Sequence, residues 1–438
     1  MLFSVLFILL ITFGIGLPLG LLIAPKHNIV GRLGLSYLLG MGIFTLLMFV
    51  TNLLGLKITL INNILLFLAV ATPLVVIGRK RMKSFWKELR VSYKNFHPDL
   101  TEKAGIAAIA FFVISSFAST FYWPVYTWDA LTLYDFRAHV FTQMGFIKSA
   151  LSSLDGGYYL SYPLLTSLTH TAVYLSGGND PQFIYSLFYL SLGLVFYGQL
   201  CEFVSRKISL LFTLILLTIP QIFNQSIVSY TNLPFMTFFS LGAIYFYIWD
   251  KKRTSGYLIL AAILVGFSTW TRSTEPFWLG IFVLVVLISV FRKKFLDILT
   301  FSVFFLPIQQ IWKIFLAQTA SQGNTLSQVI GYTSILVNIF NFQRWGTVIN
   351  FLYQSVFRPW GPVFILFVAV LIYSILVNKL KETFLIYSIT LALLALLLVG
   401  TFIFSFTFPT WNQIPDSASR TAMIFYPLFA YSIALLPQ

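Results

Sequence analysis

The chain has 438 residues, of which 58% are hydrophobic and 9% charged, and its formal net charge is +15. Soluble domains carry roughly 25% charged residues, so this composition excludes a water-soluble enzyme and implies an all-α integral membrane protein with many spans. The basic residues concentrate in short loops between apolar runs, so the charge reads as a topology signal: membrane lipids are expected partners and nucleic acid is not.

Crossing a hydrocarbon core of ~30 Å takes about 20 apolar residues. Runs of that kind fall, in chain order, at 2–24, 33–55, 58–78, 105–122, 183–204, 208–222, 233–249, 256–271, 276–291, 295–316, 360–378, 383–406 and 420–437. About thirteen transmembrane helices result. The first run has no basic segment ahead of it and no small-residue cleavage site before Lys26, so it is read as a span and not as a removable leader. The loops "GRKRMKSFWKELRVSYKNFHPDLTEK", "SRK", "DKKR", "FRKK" and "NKLK" then share one side, which positive-inside bias makes cytoplasmic. The N-terminus lies outside and the C-terminus inside. Of the 28 Lys and Arg, eight stay outside: Lys57, Arg137, Lys148, Arg272, Lys313, Arg344, Arg358 and Arg420. Residues 1–103 hold three spans and a basic loop, and 104–438 form the larger module.

The segment "YLSYPLLTSLTHTAVYLSGG" (159–178) is apolar enough for a fourteenth crossing, but that crossing would move every later basic loop outside. Its Ser, Thr, Pro and His170 suit a helix lying at the interface or re-entering from outside. A large outside loop of juxtamembrane helices therefore covers 123–180. Within it, "YTWDALTLYDFRAHVF" (126–141) groups Asp129, Asp135, Arg137 and His139. The four-residue step from Asp135 to His139 places both on one helix face, and Trp128 with Asp129 begins that helix. Taken alone, Asp129 reads as an N-cap on a solvated helix.

No span centre holds a charge, whereas Arg272, Glu275 and Lys313 stand at or near outer ends and Arg344, Arg358, Asp416 and Arg420 extend the outer rim. The segment after 317 is too polar at its start to span, and its later part, with Arg344 and Trp345, reads as an interfacial amphipathic helix. Internal repeats, broken mid-span helices and central polar residues, the marks of a transporter, are not expected. With one Cys (Cys201), two outside histidines and no HExxH, CxxC, GxSxG or Walker-type motif, redox, zinc, serine and ATP chemistry lack support.

Several segments taken in order resemble the GT-C superfamily of membrane glycosyltransferases, which includes protein O-mannosyltransferases and lipid A aminoarabinose transferases. "TWDALTLYDFRAHVF" resembles the acidic motif of that family's first large outside loop, and "LSYPLLTSLTHTAVYLSGG" the juxtamembrane stretch after it. "SIVSYTNLPFMTFFSLGAIYFY", "FSTWTRSTEPFWLG" and "DSASRTAMIFYPL" resemble three later landmarks. The resemblance covers about 104–437 and implies a sugar donor on a polyprenyl phosphate and an acceptor that is a glycan, a lipid or a protein. It implies inverting transfer at the outer face, with Asp129 as catalytic base or, in metal-dependent members, a contact for a divalent metal ion, and Asp135 as the second acid. Arg137, His139, Tyr162, His170, Asn232, Arg272, Glu275, Arg358 and Arg420 become the substrate-binding set, its cations stabilising the departing phosphate. The chain departs from the family in having Asp129-Ala130 where two adjacent acids are common, Asn232 where Asp is common, and "TRSTEP" where Lys precedes the acid. A lipid-linked oligosaccharide flippase or other transporter, an O-antigen ligase or polymerase, and a noncatalytic membrane scaffold are the competing readings.

Overall fold

The computed structural model describes residues 2–24, 27–152, 159–160, 162–273, 275–319, 339–377, 380–407 and 410–436, with the side chains of residues 275, 380–382 and 407 outside that description. All regular structure among the described residues is helical. Helices stand at all thirteen positions read from the apolar runs: α1 (Leu2–Ile23), α2 (Ile29–Leu53), α3 (Leu60–Lys94), α4 (Leu100–Tyr122), then α8 (Phe183–Leu200), α9 (Arg206–Thr218) with α10 (Pro220–Ser226), α11 (Asn232–Lys252), α12 (Ser255–Thr271), α13 (Glu275–Phe291), α14 (Phe295–Thr319), α16 (Arg358–Leu376), α17 (Leu380–Thr407) and α19 (Phe425–Ala434). Among the described residues eight helices are long and apolar enough to cross a membrane. The rest are shorter, bent or richer in Tyr and Trp.

Local chemistry sets several boundaries. Asp99 and Glu102 form a reciprocal capping box at the start of α4, and the side chains of Asn28, Thr59 and Ser205 cap α2, α3 and α9. Much of the basic stretch after residue 78 is not a loop. It continues α3 as helix to Lys94, because Lys, Arg, Glu and Met sustain a helix beyond the apolar part.

At the centre stand α11 and α12, buried along almost their whole lengths, with α2 and α8 beside them. α1 packs against α2 through an unusually close backbone approach. A Cβ on Gly16 would come within 1.8 Å of the Ser36 carbonyl oxygen, and one on Gly40 within 1.9 Å of that of Thr12. α3 and α4 form the periphery and keep most of their apolar residues exposed, as lipid-facing helices do.

Two expectations are corrected. The segment around 165–175 forms α7 (Leu165–Leu175), but it does not lie on an interface: it is buried throughout residues 165–173. Most of its polar groups are satisfied internally, Thr169 and Thr171 donating to the carbonyls of Leu165 and Ser167 one turn back, whereas the buried Thr166 hydroxyl has no partner among the described residues. Interrupted helices also exist. α9 and α10 are bent by 70° at Ile219 and Pro220, and α16 is kinked at Gly361, whose φ of 52° lies in the left-handed region.

The polar contacts sort into two ends of the bundle. At one end Asn52 reaches the Gly145 carbonyl, Asp129 pairs with Arg420 and Asn232 with Arg272. At the other, His27 meets Glu202, Lys207 meets Asp99, and Asp250 binds Arg292. α11 connects the two ends, and its 21 residues span about 30 Å, the thickness of a hydrocarbon core.

Candidate active site at one end of the bundle

Residues Trp128 to Met144 are helical, but the winding changes within them. Ala130–Tyr134 is a π-turn, closed by the Asp135 N–H donating to the Ala130 carbonyl, and it leads into α5 (Asp135–Met144). Such turns are frequent at functional sites. Asp129 is not a cap: it has helical φ and ψ and makes no side-chain capping bond. Its carboxylate instead accepts from Arg420 Nη1 at 3.1 Å, across 291 positions of sequence.

Arg420 lies on α18 (Pro415–Thr421) and also pairs with Asp416 at 3.1 Å, while its guanidinium stands 5.2 Å from the Tyr230 ring centroid. The Asp129 side chain is 40% exposed and that of Arg420 19%, so the pair is partly wet. α18 packs against a second π-turn, Tyr353–Phe357.

Beside this pair, α18 and Arg272 line a cavity of about 410 Å³. Arg272 follows α12, donates to Asn232 Oδ1 at 2.7 Å, and has the Tyr162 ring 5.8 Å away. Asn232 in turn donates to Gln225 at 3.1 Å, which fixes the amide's orientation. Tyr162, Ser417 and Thr421 supply further polar lining, and Phe277 of α13 with Leu396, Leu397 and Phe404 of α17 supply apolar lining. The cavity thus combines a cation and hydroxyls with hydrocarbon.

Beneath α5 lies a buried network. Asp135, 6% exposed, accepts from Tyr174 at 2.5 Å and contacts His170 Nδ1 at 3.0 Å. His170 Nε2 meets the Tyr185 hydroxyl at 3.0 Å, and His139 stacks on Tyr174 with 4.2 Å between centroids and lies 3.5 Å from Asp135. Burial pushes the Asp135 carboxyl up, but the His170 hydrogen bond and charge and the Tyr174 hydroxyl outweigh it and hold the group below the ordinary carboxylate value. Burial and the bond to Asp135 push the Tyr174 hydroxyl far above its usual range.

Arg137 is fully buried. It donates to Ser167 Oγ at 3.0 Å and to the backbone carbonyls of Tyr159, Tyr162 and Pro163 at 2.9, 2.8 and 3.3 Å. Those bonds fold the chain before α7 and set Tyr162 in the cavity wall.

The expected site set therefore divides. Arg272 and Tyr162 line the cavity, Asn232 holds Arg272, and Arg420, paired with Asp129, sits on α18 beside the lining residues Ala418 and Thr421. Asp135, Arg137 and His170 do not face it as acid or ligands, because the bundle has closed over them and used their polar atoms; they position the loop instead. His139 stays half exposed on that network. Arg358 is exposed and bonds Gln354 at 3.3 Å, away from the cavity lining, and Lys313 lies over Trp278. The Glu275 side chain lies outside the described residues. Sequence reasoning missed Tyr174 and Tyr185 as partners of the acidic helix. The first was findable, since Tyr174 follows His170 by four residues and shares its face of α7.

Among the described residues no group of three or more His, Cys, Asp or Glu side chains is placed to hold a metal. Asp129 and Asp416 are already bridged by one guanidinium, so these two carboxylates do not fit a metal site and no step is routed through one.

Removing the Asp135 charge should reveal its structural role. Asp135→Asn is expected to cost about 1.5–3 kcal/mol, the range for hydrogen bonds to a charged group. Because the folded pKa is depressed, this contribution is complete above about pH 4, the unfolded value, and is lost as the pH falls through the lower folded value. Thermal unfolding of both proteins against pH in detergent checks this; a gap that persists undiminished well below pH 3 would contradict it.

No family model, curated protein or solved structure matches the chain.

Proposed function

We propose that the protein is a membrane glycosyltransferase that moves a sugar from a polyprenyl-phosphate donor to an acceptor hydroxyl at the extracytoplasmic face. One observation carries the reading: Arg272 lines a cavity together with apolar side chains of α13 and α17, and the Asp129–Arg420 pair is held by α18, the helix whose Ser417, Ala418 and Thr421 line the same cavity. Such a shape suits a lipid chain ending in a phosphate. The order of sequence segments that resemble the GT-C superfamily supports the same reading.

The chemistry follows from these positions. The acceptor oxygen attacks the anomeric carbon, its proton passes to the Asp129 carboxylate, and the bond from that carbon to the phosphate oxygen breaks with both electrons leaving on the phosphate. Arg420 and Arg272 face the charge that develops there. Asp129 and Asp416 occupy Arg420 in the resting site, so the arriving phosphate shares a fork that two carboxylates have already oriented. A single displacement of this kind inverts the anomeric centre.

The thirteen helices are thirteen spans in this reading, with the Asp129 end outside. The paired contacts at each end join loops that the parity assignment puts on one side. In protein with Cys201 replaced, a cysteine at Ser152 is expected to react with an impermeant thiol reagent on intact cells and one at Ser84 to stay unlabelled; the reverse pattern would invert the site. The companion position at Asn324 lies outside the described residues.

Donor binding is tested directly with a photoreactive polyprenyl-phosphate hexose. Arg272→Ala is expected to weaken capture about tenfold or more, as loss of a charge-assisted hydrogen bond does. Undiminished capture would leave Arg272 as a structural partner of Asn232. A flippase is the second reading, favoured by the 70° bend between α9 and α10. It predicts donor movement across vesicles without transfer.

A further inference from the structure

The opposite end of α11 carries a second site. Asp250 sits in the last turn, and its Oδ1 accepts from Arg253 and from Arg292, each at 2.7 Å. Two guanidiniums that would repel each other are thereby held side by side by one carboxylate. Lys251 adds a third cation, so the cluster is net positive. Around these groups is a cavity of about 590 Å³, within the range of small-ligand sites.

Its remaining walls are apolar except for Ser388 and belong to two helices, α13 with Leu287 and Phe291, and α17 with Phe384. These side chains are 46%, 84% and 60% exposed, and they run from the cations along the sides of helices read here as membrane spans. A free anion needs only the charge. A cationic cleft continuous with an exposed apolar wall matches a molecule with a phosphate head and hydrocarbon tails. The cluster lies about 27 Å along α11 from Asn232 and Arg272, so it is separate from the cavity at the other end.

We propose that this cavity seats the headgroup phosphate of an anionic phospholipid from the leaflet opposite the Asp129–Arg420 end, bridged by Arg253 and Arg292, with its acyl chains along α13 and α17.

The first test uses the unmodified protein. Phosphatidylglycerol with a diazirine in its acyl chain is irradiated with the protein in detergent. Label is expected on residues 284–291 and 384–388, competed by phosphatidylglycerol but not by phosphatidylcholine or inorganic phosphate. Label distributed elsewhere, or competed equally by phosphatidylcholine, overturns the proposal, and competition by inorganic phosphate alone would make the site a free-anion site. The second test compares D250N/R253Q/R292Q, in which no buried carboxylate is left unpaired, with wild type by native mass spectrometry. Retention of phosphatidylglycerol should fall at least about tenfold with phosphatidylcholine retention unchanged. Equal retention of phosphatidylglycerol by both proteins would sink the assignment.

Discussion

Asp129→Asn is expected to lower transfer by about 10² to 10⁴-fold, the usual contribution of a positioned base, while the protein stays folded. Asn keeps the size and one acceptor oxygen for Arg420 but cannot take up the proton of the attacking hydroxyl. A purely structural role predicts otherwise. Asp129 caps nothing, and its ion pair is partly exposed, so its loss should cost no more than about 1 kcal/mol of stability. The assay is transfer from a synthetic polyprenyl-phosphate sugar to a native acceptor extract, with thermal unfolding measured on the same preparation. Turnover above about a tenth of wild type falls well short of a general-base effect and removes Asp129 from that role. Asp135 would be a poor substitute, buried as it is beneath Tyr174 and His170.

Arg420→Ala should give the second largest effect, a fall in turnover of about 10² to 10³-fold, as when a preorganised donor to developing negative charge is removed. Stability should move by less than about 1 kcal/mol, because the pairs with Asp129 and Asp416 are partly solvated. The two magnitudes separate a catalytic arginine from one that merely ties α18 to the loop. Arg420→Lys adds a further discrimination: an ammonium restores the charge but not the planar fork that spans two carboxylates, so only part of the rate should return. Full activity in the Lys variant would point to charge alone, and full activity in the Ala variant would dissociate Arg420 from the leaving group.

Most of the helices were legible in the sequence because apolar runs of span length leave few alternatives for the backbone in lipid. That the charges gather toward the ends of the bundle was legible for the same reason, since charges avoid the centres of spans. The pairing within the rim was not. Nothing local marks Asp129 and Arg420 as partners, and only the fold, which seats α18 on the second π-turn and α11, brings them together. Burial misled in both directions. Arg137 looks like a surface ligand in a loop, yet it binds three backbone carbonyls in the interior. The hydroxyl-rich α7 looks interfacial, yet Thr169 and Thr171 return hydrogen bonds to its own backbone and Ser167 and His170 find partners on other segments, so residues 165–173 tolerate burial. The bend between α9 and α10 was passed over because a single apolar run crosses Pro220 without a change of composition.

The π-turn at Ala130–Tyr134 has a consequence for how the loop is indexed. Each residue of an α-helix turns the next by about 100°, so one residue accommodated as a bulge resets the angular phase of everything before it relative to everything after. α5 is clamped downstream by Asp135 and Arg137, and the phase offset therefore falls on the residues before the turn, Asp129 among them. The compass bearing of that carboxylate toward Arg420 is thus stored in the number of residues between two anchored points. A single-codon deletion in 130–134 would swing it away while leaving every named side chain in the sequence.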